Sequence, residues 1–134
     1  QIEKIKFFKR FIFNFLAGNE DMHLKNYSII SQNDKIELSP AYDFLNTSII
    51  MGKDVEETAL SLKGKKRNLT KNILIDYLGL ERLDLNNTVI DNTIKELQNA
   101  IPSWFDLING SFLKKELKEE YIVLLEKRIK LLNF

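Results

Sequence analysis

The sequence predicts a mainly α domain with one small β element near its start. Two observations carry that prediction. Apolar residues recur at spacings of three and four in four separate segments, the periodicity of helices with one buried face. Only one pair of adjacent β-prone runs flanks a tight-turn signal, at 27–31 and 35–38 around Asn33-Asp34. The 134 residues suit a single domain over 1–134 and leave little room for two.

The first helix is marked by Ile2, Ile5, Phe8, Ile12, Phe15 and Leu16 on one face. Phe7, Phe11 and Phe13 widen that face almost to all-round burial, so five of the nine phenylalanines lie here. A helix this apolar is covered by other chain, and its surplus points to cover from segments beyond the ones in hand. Gly18-Asn19 ends it, as these residues do at helix C-termini. The hairpin follows, and Ser39-Pro40 stops its second strand. Residues 41–50 read as loop and then a short helix. Residues 58–62 read as a strand, with 63–67 as a basic loop. Thr70 caps a helix over Ile73, Leu74, Tyr77 and Leu78, closed by Gly79. Asn86 or Asn87 caps another through Val89, Ile90, Ile94 and Leu97, which Pro102 breaks or kinks. A short helix around Trp104, Phe105 and Ile108 ends at Asn109-Gly110. The last helix, over 113–132, carries Leu117, Tyr121, Leu125, Ile129 and Leu132 on one face.

Composition excludes several classes of function. The 20 basic and 19 acidic residues leave a net charge of +1, with no electrostatic footprint for direct nucleic-acid binding. The absence of cysteine rules out a disulfide framework and cysteine-ligated metals, and fits a reducing cytoplasm. Residues 7–16 are very apolar but short, and include Lys9 and Arg10. A spanning helix needs about 20 apolar residues, so no membrane segment is expected. The chain has no initiator Met and opens directly on a helical pattern, as a start inside a longer protein would.

The chemistry concentrates in G-N-E-D-M-H-L-K-N at 18–26, a loop joining the apolar helix to the hairpin. Asp21 and Asn26 have the spacing D-x-x-x-x-N, the second half of the protein-kinase catalytic loop. One loop must there place a base for the substrate hydroxyl and an amide ligand for a metal beside the same phosphate. A second metal ligand is needed beyond a short hairpin, and Asp43-Phe44 stands at that place.

Together with S-P-A-Y-D-F at 39–44, this loop resembles the HipA toxin family of serine/threonine kinases, whose pattern is close to G-N-x-D-x-H-x-K-N, a hairpin, then L-x-P-x-Y-D. The likeness is best over residues 12–67, including A-L-S-L-K-G-K-K at 59–66; elsewhere it is only a helical pattern. The resemblance implies the helical C-terminal lobe of a protein-kinase-like fold, with the catalytic and metal-binding loops around the hairpin. It implies ATP as co-substrate and Mg²⁺ as cofactor. Asp21 would be the catalytic base, Asn26 and Asp43 would hold Mg²⁺, and His23 and Lys25 would act near the transferred phosphate. His23, Tyr42 and Asp43 would line the nucleotide site. It further implies a protein target, an aminoacyl-tRNA synthetase in that family, and a HipB-like DNA-binding antitoxin as partner. The Gly-rich loop and ATP-clamping Lys of the family's N-terminal lobe have no counterpart here, so the piece alone is expected to be inactive.

Plainer readings exist for each residue. Asp21 and Asn26 are turn formers, Asp43 could cap the next helix, Tyr42 could be a packed aromatic, and His23 a solvated side chain. Glu20 reads as a solvated acid and 63–67 as a solvated loop. A non-catalytic interaction lobe is the rival at the level of the whole chain. So is a small-molecule or lipid kinase, because D-x-H-x-x-N is also similar to phosphoinositide-type kinases.

Overall fold

A computed structural model describes residues 1–52 and 56–134. Helix α1 runs over Ile2–Ala17 and is followed by a 3₁₀ turn at Leu24–Asn26. Strands β1 (Ile29–Gln32) and β2 (Lys35–Leu38) form one antiparallel sheet. Then come the one-turn helix α2 (Ser48–Met51), a π-helical segment (Asn72–Arg82), α3 (Asn87–Gly110) and α4 (Lys115–Leu132). The architecture is mainly helical with one hairpin, as the sequence predicts.

Helix α1 is the axis of the domain and packs against α3, α4, β2 and the π-helical segment. Phe8, Phe11, Ile12, Phe15 and Leu16 are buried. Its remaining rings find partners within the chain. Phe7 lies 5.0 Å from the Tyr27 ring, and Phe13 meets Trp104 edge-on at 5.3 Å and Phe44 at 5.1 Å. The wide apolar face is thus covered on these sides by the hairpin base, α3 and the loop after β2. Gly18 ends α1 in the left-handed region, at φ 77°. A Cβ there would also lie 2.7 Å from Leu124 Cδ2 and 2.8 Å from Asn46 Nδ2. Both the backbone angle and the space demand glycine at this corner.

The hairpin pairs Ile29 with Leu38 and Gln32 with Lys35. Asn33 and Asp34 both have positive φ, at 50° and 59°, the requirement of a two-residue type I′ turn. Its base is tied to α1. The Leu38 N–H donates to Glu3 Oε2 at 2.5 Å, and Arg10 Nη2 donates to the Ser39 carbonyl at 2.6 Å.

Three elements differ from expectation. Residues 58–62 form no strand; they meet only an isolated Leu62–Lys65 bridge around a turn at Lys63 and Gly64. Among the described residues no second strand lies alongside to pair with them, and buried Thr58 satisfies its hydroxyl locally on the Leu60 carbonyl. The helix after Thr70 does not close at Gly79 but winds on to Arg82. Gly79 serves close approach instead: a Cβ would lie 2.8 Å from Ile90 Cδ1 and 3.2 Å from Phe8 Cε2. Pro102 does not break α3, which runs unbroken to Gly110. Pro in a helix interior costs about 3 kcal/mol. Here Ile90, Thr93, Leu97, Ile101, Trp104 and Ile108 make one buried or half-buried stripe at spacings of three and four, and its burial outweighs that cost.

Asn86 caps α3, its Oδ1 accepting the Val89 N–H at 2.9 Å. Asn86→Ala is expected to lose about 1 kcal/mol in urea denaturation, the value of one N-cap. An unchanged midpoint would mean that water replaces the cap. Among the described residues, no helix is long and apolar enough to cross a membrane.

Candidate active site

The loop at 18–26 leaves α1 through a buried, tightly held stretch, with Gly18, Asn19 and Glu20 all buried. The Gly18 carbonyl accepts the N–H groups of Thr47 and Ser48, at 2.9 and 3.2 Å, at the start of α2. Asn19 Nδ2 donates to Asn14 Oδ1 at 3.1 Å and to the Asp43 carbonyl at 3.3 Å. The Glu20 N–H donates to Thr47 Oγ1 at 2.9 Å.

Glu20 is not a solvated acid. Its side chain is 6% exposed, and its Oε1 accepts from Arg128 Nη2 at 2.8 Å and from the Ser48 hydroxyl. Arg128, equally buried on α4, also donates through Nη1 to the Phe15 carbonyl and lies 4.9 Å over the Phe15 ring. Burial pushes the guanidinium below its usual pKa, and the Glu20 carboxylate pulls it back up. A buried pair of this kind is held together because neither charge can be left alone out of water.

Beyond this anchor the loop alternates. Met22 is buried, while Asp21 and His23 on either side are exposed. Asp21 Oδ1 lies 3.3 Å from His23 Nε2. The Asp21 carbonyl accepts the His23 N–H at 2.8 Å and Asn26 Nδ2 at 3.0 Å. The buried Asn26 amide therefore braces the loop through nitrogen, which leaves Oδ1 as its acceptor end. Lys25 is exposed, and its carbonyl accepts the Tyr42 hydroxyl at 3.1 Å. Tyr42 also shares a 2.7 Å hydrogen bond with Ser28 Oγ. It thus braces the loop against the start of the hairpin while its ring stays partly open.

Asp43 is exposed and sits in the left-handed region at φ 57°. It does not cap α2; the residue at that cap is Thr47. Asn19 links the two loops, since the Asp43 carbonyl accepts its amide. Phe44 after it packs on Phe13 of α1.

Among the described residues, no three His, Asp or Glu side chains lie together as a metal cluster. The expected pair, one amide oxygen on Asn26 and one carboxylate on Asp43, is a hard-oxygen set. It fits Mg²⁺, which keeps several waters and takes its other ligands from substrate phosphates. An apolar cleft of about 300 Å³ between α1, α3 and α4, lined by Phe13, Trp104, Leu107, Ile108, Tyr121 and Leu125, contains none of these loop residues.

Sequence reasoning missed Glu20, Arg128, Asn19 and Thr47. One signal was present for Arg128: it interrupts the stripe Leu125, Arg128, Leu132 at spacings of three and four. A charge on a buried stripe implies a buried partner.

The HipA-like C-terminal domain profile matches residues 1–105, which take in the whole loop and the hairpin. The chain belongs to this HipA-like family. It is 36% identical over 93 residues to "Putative kinase Y4dM" of Sinorhizobium fredii, covering 68% of this chain and 22% of that protein. It is 28% identical over 142 residues to a "Putative kinase" of Haemophilus influenzae, covering 94% of this chain and 41% of that protein. The chain therefore spans less than half the length of these relatives. In fold it is similar to a chain of the complex of HipA, HipB and operator DNA from the Shewanella oneidensis MR-1 toxin–antitoxin system. That likeness has a TM-score of 0.73 and 23% identity over 98% of this chain and 32% of the other.

Proposed function

We propose that this HipA-like domain is the catalytic lobe of an ATP- and Mg²⁺-dependent protein serine/threonine kinase of a toxin–antitoxin pair. One observation carries the reading. The loop presents Asp21 and His23 outward from a pinned base, with the Asn26 amide closed onto the Asp21 backbone. A carboxylate held this way can accept the proton of a substrate hydroxyl as its oxygen attacks the γ-phosphorus and ADP departs. In this reading His23, 3.3 Å from the Asp21 carboxylate, and the exposed Lys25 meet phosphate charge. Asn26 Oδ1 and the Asp43 carboxylate are the oxygens that would hold Mg²⁺, which when bound neutralises charge on the phosphates. Asn19 and Tyr42 fix the Asp43 loop and the Lys25 turn. The kinase names of two relatives support the reaction class. The likeness to a complex containing HipA and HipB supports a HipB-like partner; a protein substrate is part of the same proposal. A cytoplasmic setting belongs to the same proposal.

The test is calorimetric. Mg²⁺ and ATP are titrated into the protein expressed from its complete gene, beside Asp43→Ala. Mg²⁺-dependent ATP binding that weakens at least about tenfold in the variant is expected, the effect of about 1.4 kcal/mol. Equal binding by both proteins would remove Asp43 from the metal site, and no binding by either would point to an interaction lobe.

A further inference from the structure

We infer that the Glu20–Arg128 pair makes α4 a positioning element for the catalytic loop, with Arg128 setting where Asp21 stands. The inference deepens the proposed function and rests on it for its catalytic meaning. Arg128 lies beyond the residues that the family profile matches, and 108 positions from Glu20. It reaches two points that flank the corner at Gly18. Nη1 takes the Phe15 carbonyl in the last turn of α1, and Nη2 takes Glu20 Oε1 just before Asp21. Nη2 also lies 3.4 Å from Ser48 Oγ, itself bonded to the same carboxylate and, at 3.2 Å, to the Gly18 carbonyl. Three elements therefore meet on one carboxylate: α4 through Arg128, α2 through Ser48, and the loop through Glu20.

The chemistry explains why an arginine is there. A planar guanidinium offers several donors in a fixed fork, so one side chain can hold a helix-end carbonyl and a carboxylate in one relative geometry. Lysine's ammonium is a point charge without that fork. Asp21 has no comparable hold of its own. Its carboxylate is exposed, and among the described residues its one salt-bridge partner is His23, also exposed. Its place is inherited from the residue before it and from Met22 and the Asn26 brace after it. Catalysis by position is sensitive to such an anchor, because a misplacement of about 1 Å can cost roughly a hundredfold in rate.

Native-state NMR of Arg128→Met, with kinetics on the protein expressed from its complete gene, tests this. A change in stability alone leaves the spectrum of the folded protein where it was, so the folded spectrum separates positioning from stability. The side-chain amide signal of Asn26 and the ring signals of His23 are expected to move in the variant. The signals of the Asn33-Asp34 turn should stay in place. The turnover number is expected to fall roughly 10–100-fold, with the KM for ATP nearly unchanged. If Arg128→Met does not fold, Arg128→Lys is measured in its place, and shifts of the same signals are expected. Wild-type positions for Asn26 and His23, or a wild-type turnover number, would overturn the inference. No transfer by the unmodified protein would count against the proposed function instead, and the NMR result would still decide the positioning.

Discussion

Asp21→Asn is expected to lower phosphoryl transfer by roughly 10²–10⁴-fold, the contribution of a positioned general base. The melting temperature should stay within a few degrees. Both halves follow from the same geometry. The substitution removes the carboxylate proposed to accept the substrate proton, while keeping a side chain of nearly the same shape. It leaves the backbone carbonyl of residue 21, which takes the His23 N–H and the Asn26 amide. The lost contact is the exposed one to His23 Nε2, and exposed pairs contribute only about 0–1 kcal/mol. Transfer of radiolabelled phosphate to protein, beside a thermal melt, reads both. Unchanged transfer would make Asp21 a turn former and put the base elsewhere, whereas no transfer by the unmodified protein would favour the interaction lobe. A large fall in melting temperature would make it structural. Labelled lipid without labelled protein would move the substrate class.

Much of this fold was legible because its signals are local. The stripe from Ile2 to Leu16, the Gly18 corner and the Asn33-Asp34 turn each lie within one short window of sequence, and each stands where it was expected. The misread elements depend on distant chain. Gly79 looks like a helix end until Ile90 and Phe8 are seen where its Cβ would be. Pro102 looks like a break until the stripe on both sides is seen to face one core. Residues 58–62 have strand propensity but, among the described residues, no more than the Leu62–Lys65 bridge to pair with. The site divides in the same way. As candidates, Asp21, Asn26 and Asp43 were marked by spacing within a loop and across a hairpin, and His23 by the family resemblance. Glu20 was not, because the group that makes it a buried acid comes from the last helix, and no window around residue 20 contains it.

That last helix supplies the largest stability effect expected. Arg128→Met should cost about 3–5 kcal/mol, the loss typical of removing one partner from a buried ion pair. The stranded Glu20 carboxylate is the reason. Among the described residues, its Oε1 would keep only the Ser48 hydroxyl, and its Oε2 is already buried without a partner. The Phe15 carbonyl would lose its guanidinium donor as well, keeping the longer bond from the Gly18 N–H at 3.4 Å. Methionine replaces much of the packing on the Phe15 ring, so the loss measures charge and hydrogen bonding more than a cavity. Lys9→Met provides the contrast. Its partner Glu96 is 63% exposed, so breaking that pair should cost no more than about 1 kcal/mol. Adding Glu20→Met to Arg128→Met removes the stranded charge and should recover much of the loss, since apolar replacement of a whole buried pair is often neutral or better. Urea denaturation of the four proteins, wild type and the three variants, reads all of this. A double variant no more stable than Arg128→Met would place the stabilisation in the Phe15 carbonyl contact instead of the ion pair. Catalysis should not follow the recovered stability, because two methionines can fill the space between α4 and the loop without fixing where Asp21 stands.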